Sequence, residues 1–211
     1  TKEGDLTVRS DLTVACDGRG SILRERAGLP VEDRGAPMDV LWFRISRRPD
    51  DQSETFGHVE AGRIMVMLNL GDYWQCAFVI AKGGAEALKQ RPIEEFRARV
   101  VDAGPLLAAH IAEDVRSWDD VKLLTVAVDR LTQWSKPGLV CIGDAAHAMS
   151  PVGGVGINLA IQDAVATANL LAEPLRRGPV DLALLRGVQR RREWPARITQ
   201  RAQVLVQDRV I

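Results

Sequence analysis

The sequence predicts a mixed α/β fold, in which a partial parallel-sheet domain is interrupted by an antiparallel-sheet domain and followed by C-terminal helices. Two short apolar segments each end in an aspartate–glycine pair and lead into a helical pattern, as strand–helix units of parallel sheets do. Between them lie four strand-like segments separated by turns, as in an antiparallel sheet. We therefore expect the two strand–helix pieces to belong to one domain that the antiparallel sheet divides.

The first strand–helix piece covers residues 1–35. Every side chain of its segment 12–16 can be buried, which predicts a short strand covered on both faces. The strand ends at Asp17-Gly18, and residues 21–27 have a helical pattern that Gly28 would close as a C-terminal cap. The predicted order is thus strand, acidic turn and helix.

The antiparallel sheet is predicted within residues 36–130. Its four strands span residues 40–45, 55–59, 63–70 and 73–80. An amphipathic helix is predicted over 93–103, and a further strand over 120–128. This region is expected to form a substrate-binding domain of its own.

Alternation along the first of these strands places Trp42 and Arg44 on one face and Phe43 and Ile45 on the other. One of these faces should meet a ligand, but the alternation does not determine which one. Arg44 is a candidate for binding an anionic substrate, and Gln75 is a second pocket candidate. The large apolar residues of the sheet are predicted to be core: Trp42, Phe43, Met65, Met67, Trp74 and Phe78.

The second strand–helix piece covers residues 131–176. A strand over 139–142 ends at Gly143-Asp144, and apolar residues at helical spacing predict a helix over 157–172. Residues 177–211 form a further helical region, with helical segments predicted over 181–192 and 195–210 and with Pro195 expected at a helix start or a kink. Within that region, the arginines at 190–192 are interpreted as a solvated helix face.

The composition argues against several partners. The chain has 28 basic and 28 acidic residues among 211, so no net field favours nucleic acid or an anionic membrane surface. No stretch approaches the roughly 20 apolar residues of a membrane helix, and no signal peptide is recognisable, so no membrane span is expected. Because the chain begins with Thr1 rather than methionine, we expect it to be processed, trimmed or only partly represented by this sequence.

The cysteines and histidines lack the spacing of metal or redox sites. The three cysteines are Cys16, Cys76 and Cys141, and the three histidines are His58, His110 and His147. Widely separated cysteines in apolar runs fit a reducing, cytoplasmic location, and no metal site is predicted.

The strongest chemical motif is Gly143-Asp144-Ala145-Ala146-His147. A glycine-rich turn, residues 150–156, and then a long helix follow it. Ligands of open α/β sheets bind at the carboxyl ends of the strands, where Asp144 could accept hydrogen bonds from a polyol. The glycines would let backbone N–H groups approach a flat ligand, and the helix N-terminus suits an electron-rich edge or an anion. The alternative is a tight strand-to-helix turn with an aspartate cap.

A second motif, Asp17-Gly18 followed by Ser21 and Arg24, also joins a strand to a helix, and a plain helix cap would explain it too. Together the two motifs resemble the Asp-Gly and Gly-Asp motifs of the p-hydroxybenzoate-hydroxylase-like FAD-dependent monooxygenases, in that family's order and over nearly the whole chain. The resemblance implies that Asp144 binds the ribityl chain of FAD and that the glycine-rich turn lies along the isoalloxazine ring. The implied cofactor-binding residues are Asp17, Gly18, Arg24, Gly143, Asp144, Pro151, Gly153, Gly154, Val155, Gly156, Ile157 and Asn158.

The resemblance also implies a reaction. NADH or NADPH would reduce the flavin, O2 would form a flavin C4a-hydroperoxide, and a small, aromatic substrate would be hydroxylated. It singles out no side chain of this sequence as catalytic. A reductase, dehydrogenase or halogenase of the same fold is the alternative enzyme.

One feature departs from the family. Its members begin with a strand–helix–strand unit carrying Gly-x-Gly-x-x-Gly, which binds the FAD pyrophosphate, and these 211 residues contain no such motif. A non-catalytic fragment without the pyrophosphate site is therefore a second alternative. We expect exposed apolar sheet edges in such a chain, and hence association into a homo-oligomer or instability.

Overall fold

A computed structural model describes residues 4–51, 54–60 and 63–210, without the side chains of 208–210. The chain forms two compact units. The first, here the strand–helix unit, comprises residues 1–35 and 127–204, and the second, the sheet unit, comprises residues 36–126 and 205–211. The domain boundaries inferred from the sequence stay predictions.

The described residues form strands of two to nine residues and six α-helices, of which the last two are long. The strands are β1 (Thr13–Ala15), β2 (Val31–Asp33), β3 (Met38–Ser46), β4 (Phe56–Glu60), β5 (Arg63–Asn69), β6 (Tyr73–Ala81), β7 (Lys122–Leu124), β8 (Asp129–Leu131), β9 (Ser135–Lys136) and β10 (Leu139–Cys141). The α-helices are α1 (Ile22–Arg26), α2 (Ala85–Lys89), α3 (Ile93–Ala103), α4 (Ile111–Asp114), α5 (Gly156–Arg177) and α6 (Leu182–Val210). The mixed α/β class predicted from the sequence is confirmed.

The strand–helix unit contains the predicted parallel pair. β1 lies parallel to β10, with Val14 opposite Val140, and β9 pairs antiparallel with the other side of β10. Parallel neighbours end at the same edge of a sheet, so the turns that follow β1 and β10 are brought together. A core that includes Ala15, Leu131, Trp134 and Cys141 fixes this arrangement.

The expected burial of β1 on both faces is wrong. Val14 is 38% exposed and Cys16 is also exposed, although Ala15 is completely buried. β1 is an edge strand, and no other strand of the described chain pairs with its free side. The apolar composition of this segment therefore does not mean that both of its faces are buried.

The sheet unit contains the four strands predicted between residues 40 and 80. Its five strands have the order β4-β5-β6-β3-β7, and every neighbouring pair is antiparallel. The strand predicted over 120–128 is shorter, because β7 pairs only with Val40–Trp42 before the chain leaves the sheet. The helix predicted over 93–103 has those bounds in α3.

α3 covers one face of this sheet. The Phe96 ring meets Phe43 and Phe78 edge-on, with centroids 5.4 and 5.6 Å away, so the face that carries Phe43 is the core face. The predicted alternation is confirmed, since Arg44 on the opposite face is exposed. Five of the six residues predicted as core are buried, but Trp42 is only half-buried because it points to the face that α3 leaves uncovered.

Asp39 joins segments from both ends of the sheet unit's sequence by hydrogen bonds. Its buried carboxylate accepts hydrogen bonds from Lys82 Nζ at 2.8 Å and from the N–H groups of Gly83 and Val126, each at 2.9 Å. Burial raises the pKa of Asp39, and these partners more than reverse that effect, so the group stays charged at neutral pH. Because Asp39 and Val126 lie near the two ends of the inserted sequence, one side chain joins both ends.

The two long helices, α5 and α6, are longer than predicted. α5 extends to Arg177 through Pro174, and the two helical segments predicted on either side of Pro195 are one helix, α6. By length and apolar composition, the segment Val152–Arg177 could cross a membrane, which the sequence reading did not anticipate. Core helices of water-soluble proteins pass the same test, and the apolar residues of α5 are divided between buried Leu159 and Leu171 and exposed Ile157, Ile161 and Val165.

Candidate functional site

The two sequence motifs meet at one edge of the β1–β10 pair. Asp17-Gly18 follows β1 and Gly143-Asp144 follows β10, at the carboxyl ends of two adjacent parallel strands. The Asp144 carboxylate lies 3.9 Å from the guanidinium of Arg19, and both side chains are about one-third exposed. The structure therefore brings together the acidic residues that the sequence identified separately.

The first motif is held in shape by local hydrogen bonds. Ser21 caps α1, since its hydroxyl accepts the N–H of Arg24 at 3.1 Å, and Asp17 accepts the N–H of Leu23 at 3.3 Å. A hydrogen bond from Ser21, and after it the Leu23 N–H, hold the pKa of Asp17 below its usual value. Asp17 is thus a carboxylate at neutral pH.

Arg24 connects the two motifs. Its guanidinium makes a bidentate pair with Asp129, at 3.0 and 2.9 Å, and donates to the carbonyl oxygens of Arg19 at 2.5 Å and Ala145 at 3.5 Å. One side chain therefore ties the turn after β1 to the turn after β10. All these partners are protein groups, and a cofactor contact of Arg24 stays a prediction.

The turn after β10 requires glycine. Gly143 has a φ of +58°, and a Cβ at this position would lie 3.1 Å from the Cβ of Ala160 in α5. The close approach lets the Gly143 N–H donate to Asp163 at 3.0 Å. α5 is thereby packed directly against the residue that precedes Asp144.

Asp163 in α5 is a completely buried carboxylate with partners from the turn after β10 and from α6. Its Oδ2 accepts the Gly143 N–H and lies 2.6 Å from His147 Nε2, and its Oδ1 accepts Arg192 Nε at 2.7 Å. Burial raises the pKa of Asp163, but these donors outweigh it and leave the pKa below its usual value. Since an ionised carboxylate only accepts, His147 Nε2 must be the donor of their hydrogen bond.

The glycine-rich turn presents an open surface. Gly153 and Gly154 have φ angles of +77° and +61°, and no atom lies within 4 Å of the position that a Cβ of Gly154 would occupy. α5 begins at Gly156, and no side chain caps its first turn. An uncapped helix leaves N–H groups and partial positive charge at its N-terminus. A flat ligand with hydrogen-bond acceptors on one edge fits this surface.

The structure thus gathers the predicted site residues into two neighbouring groups. Asp17, Gly18, Arg24, Gly143 and Asp144 surround the paired strand ends, and the remainder occupy the turn and the first residues of α5. Contact with a cofactor stays a prediction for each of them.

Sequence reasoning missed several residues that support this site. Asp163 interrupts the buried apolar face of α5, and that interruption was the available signal. Arg192 was interpreted as part of a solvated face, which is wrong, because it is 9% exposed and bound to Asp163. Gln200 and Gln203 carried no recognisable signal, since their partners are backbone carbonyl groups distant in sequence.

Comparison with known proteins agrees with this geometry. The family described as FAD binding domain matches residues 1–202. The 6-methylpretetramide 4-monooxygenase of Streptomyces rimosus is 34% identical over 201 residues, which cover 95% of this chain and 48% of that protein. This chain spans about half the length of the curated relatives it matches.

Solved structures share the fold. The probable FAD-dependent monooxygenase PqsL from Pseudomonas aeruginosa has a TM-score of 0.79 at 23% identity, with 96% of this chain and 57% of that chain covered. The flavin-dependent halogenase CmlS has a TM-score of 0.70 at 16% identity, over 89% of this chain and 35% of that chain. The family resemblance inferred from the two motifs is confirmed.

We expect Asp163→Asn to lower the free energy of unfolding by about 3–5 kcal/mol at pH 7, because it leaves the Arg192 charge buried without its partner. The folded-state pKa of Asp163 lies below the usual value of 3.8, so its contribution is complete above that value and is lost as the pH falls through the folded-state pKa. The difference between wild type and variant should therefore shrink in acid. Urea unfolding between pH 2.5 and 7 measures it.

The matched control is Glu173→Gln on the same helix. Glu173 is 60% exposed and pairs with Arg176 and Arg177, so its loss should change the free energy of unfolding by less than about 1 kcal/mol. A similarly small loss for Asp163→Asn at pH 7 would contradict the assigned role of Asp163.

The thiols should differ in reactivity. Burial raises the pKa of Cys76 to about 12 and that of Cys141 to about 11, whereas Cys16 is exposed beside Asp17. We expect one rapidly reacting thiol per folded chain in a disulfide-exchange assay at pH 8, three after denaturation, and none in folded Cys16→Ser. Rapid reaction of a second thiol in the folded chain would show that the core around Cys76 or Cys141 opens.

Proposed function

The chain belongs to the family of FAD binding domains, and we propose that it holds the ribityl and ring portion of the FAD site in a flavin-dependent monooxygenase. The observation that carries this proposal is the meeting of the two acidic turns beside the open glycine-rich turn and the uncapped start of α5. These groups all lie within the strand–helix unit.

Asp144 would bind the ribityl hydroxyl groups of FAD. Its carboxylate is about one-third exposed at the carboxyl end of β10, and a carboxylate accepts several hydrogen bonds at once. Asp17 would add a second acceptor from the adjacent strand end, since its lowered pKa keeps it charged. Arg24 keeps the two turns together through Asp129.

The turn from Pro151 to Asn158 would lie along the isoalloxazine ring. Gly153 and Gly154 have no side chain to separate the ring from the backbone, and their positive φ angles are readily adopted only by glycine. The first N–H groups of α5 would face the electron-rich carbonyl edge of the ring. The partial positive charge of the helix would then stabilise the negative charge that the ring gains on reduction.

The bound flavin supplies the redox and oxygen chemistry, with NADH or NADPH as reductant and O2 as the source of the transferred atom. The balance is that NAD(P)H, a proton, O2 and an aromatic C–H give NAD(P)+, water and an aromatic C–OH. The residues of this chain would bind and orient the ring, and a closed pocket would keep water from the reacting atoms. We assign no side chain as a general acid or base.

A small aromatic substrate is the class that fits best. One structural relative, PqsL, has been solved in complex with 2-aminobenzoylacetate, an aromatic anion. In the sheet unit, the face that α3 leaves uncovered carries Arg44, whose guanidinium lies 4.8 Å above the centre of the Tyr73 ring. Arg44 would attract an anionic group of the substrate.

We expect the purified chain to bind FAD saturably, with quenching of flavin fluorescence and a shifted visible spectrum. Asp144→Ala should weaken binding about ten- to hundredfold, because hydrogen bonds to a charged group contribute about 1.5–3 kcal/mol. Asp11→Ala is the matched control, since Asp11 is exposed before the opposite end of β1. Equal affinities of wild type and Asp144→Ala would contradict the assignment of the ribityl site.

Two parts of FAD, riboflavin and ADP, can be used separately to test the same site. Riboflavin contains the ring and the ribityl chain, so it should bind within about tenfold of FAD. ADP should show no saturable binding to this chain, because the sequence contains no Gly-x-Gly-x-x-Gly motif for the pyrophosphate. Binding of ADP but not riboflavin would locate the affinity elsewhere.

The reaction is tested separately by NAD(P)H oxidation and oxygen uptake of the FAD-loaded protein in 18O2, with a panel of phenols and aromatic amino acids. We expect one labelled oxygen atom in the product for at least one of these compounds. Flavin reduction without oxygen incorporation into any of them would favour the reductase alternative. Incorporation of chloride in its place would favour a halogenase.

A further inference from the structure

α6 has an unusual buried face. Gln189, Arg192, Gln200 and Gln203 recur three or four residues apart, with buried Ala196 between them, so they share one side of the helix. The buried face of a helix is normally apolar, because an unpaired buried amide costs about 1–3 kcal/mol. A row of polar residues at these positions requires specific partners.

The partners are the irregular segments of the strand–helix unit. Gln203 Nε2 donates to the carbonyl oxygens of Ser150 at 2.9 Å and Val152 at 2.7 Å, on either side of Pro151. Gln200 Nε2 donates to the carbonyl oxygens of Asp129 at 2.8 Å and Ala148 at 3.0 Å. One helix face therefore binds the backbone that leads from the His147 turn into the glycine-rich turn.

These hydrogen bonds fix the direction of the backbone. In a trans peptide the C=O and the following N–H point in opposite directions. Because the Val152 carbonyl points to Gln203, the N–H of Gly153 points away from α6. The open space at Gly154 and the uncapped start of α5 follow directly along the chain.

We propose that Gln203 is a positioning residue of the flavin site, which holds the Ser150 and Val152 carbonyls so that the glycine-rich turn presents the Gly153 N–H and the open face of Gly154 to the ring. This inference rests on the proposed function, since it concerns the same turn. Gln203 does not touch the ligand surface, because it is 5% exposed and bound to the opposite side of the loop.

A matched residue separates positioning from general support of the fold. Gln189 lies on the same face of α6 and also makes two backbone hydrogen bonds, with its Oε1 accepting the N–H of Trp134 and its Nε2 donating to the carbonyl of Thr132, each at 3.0 Å. Its partners lie outside the glycine-rich turn. Gln203→Met and Gln189→Met remove the same amide with little change in volume, from a buried position and from a half-buried position of the same helix.

The first measurement is hydrogen exchange of the flavin-free chain by mass spectrometry. Gln203→Met should exchange at least about tenfold faster in peptides that cover residues 149–158, while peptides that cover 131–136 stay as in wild type. Gln189→Met should give the opposite pattern. Unchanged exchange of the turn in Gln203→Met would overturn the proposal.

The second measurement is flavin binding. Gln203→Met should bind riboflavin and FAD about tenfold more weakly than wild type and should shift the visible spectrum of the bound flavin, whereas Gln189→Met should match wild type within about twofold. Faster exchange of the turn with unchanged affinity and spectrum would also overturn the proposal.

The two measurements keep the proposals distinct. If the wild-type chain binds no flavin, the proposed function fails, and the exchange patterns alone then decide whether Gln203 holds the turn. If the wild-type chain binds flavin and Gln203→Met behaves like wild type in both measurements, the proposed function stands and the role of Gln203 is refuted.

Discussion

The candidate site depends on the hydrogen bonds that the buried carboxylate of Asp163 accepts. Removing a carboxylate from water costs several kcal/mol, and only well-placed donors offset that cost. Here the donors are the N–H of Gly143, the imidazole of His147 and the guanidinium of Arg192. They come from the turn after β10 and from α6, while Asp163 belongs to α5. The penalty of an unpaired charge therefore enforces one relative placement of turn and helices, and Asp144 is adjacent to the residue so fixed.

The same logic extends along α6. A glycine-rich turn cannot pair its carbonyl groups as a helix or strand does, and buried carbonyl groups need partners. Glutamine amides provide them from a neighbouring helix. Gln203 binds the carbonyl oxygens of Ser150 and Val152 in the turn, and Gln200 binds those of Ala148, just before the turn, and of Asp129 in β8. The turn thus has a defined shape without regular secondary structure. Its other side, which carries the positive-φ glycines, stays open for a ligand.

How much the sequence could predict depends on how far apart along the chain the interacting residues lie. Local patterns determined the bounds of α3, the strands of the sheet unit and the alternation that buries Phe43 and exposes Arg44. The family motifs identified both acidic turns, and their adjacency followed from parallel pairing. In contrast, Arg192 resembled a surface arginine because its partner lies 29 positions earlier in sequence. Val14 resembled a buried residue because β1, although it lies at the edge of its sheet, has the apolar composition of a central strand.

Pro195 illustrates a different limit. A proline removes one backbone donor and favours a helix end, so two helices were a reasonable expectation. α6 nevertheless continues through it, because the buried face on both sides is occupied by Arg192, Ala196 and Gln200. Tertiary contacts of this kind override local propensity, and no window of sequence around Pro195 contains them.

The energetics of flavin binding explain why such support would be selected. Ordering one residue costs about 1–2 kcal/mol, so fixing five mobile residues of the glycine-rich turn on binding would cost about 5–10 kcal/mol. A helix N-terminus contributes about 0.3–1 kcal/mol toward a negative charge, and each hydrogen bond to Asp144 about 1.5–3 kcal/mol. These gains would be consumed if the turn were ordered only by the ligand. The hydrogen bonds of Gln203 to the Ser150 and Val152 carbonyls order the turn before a ligand arrives, so that the proposed ring and ribityl contacts would remain available as net affinity.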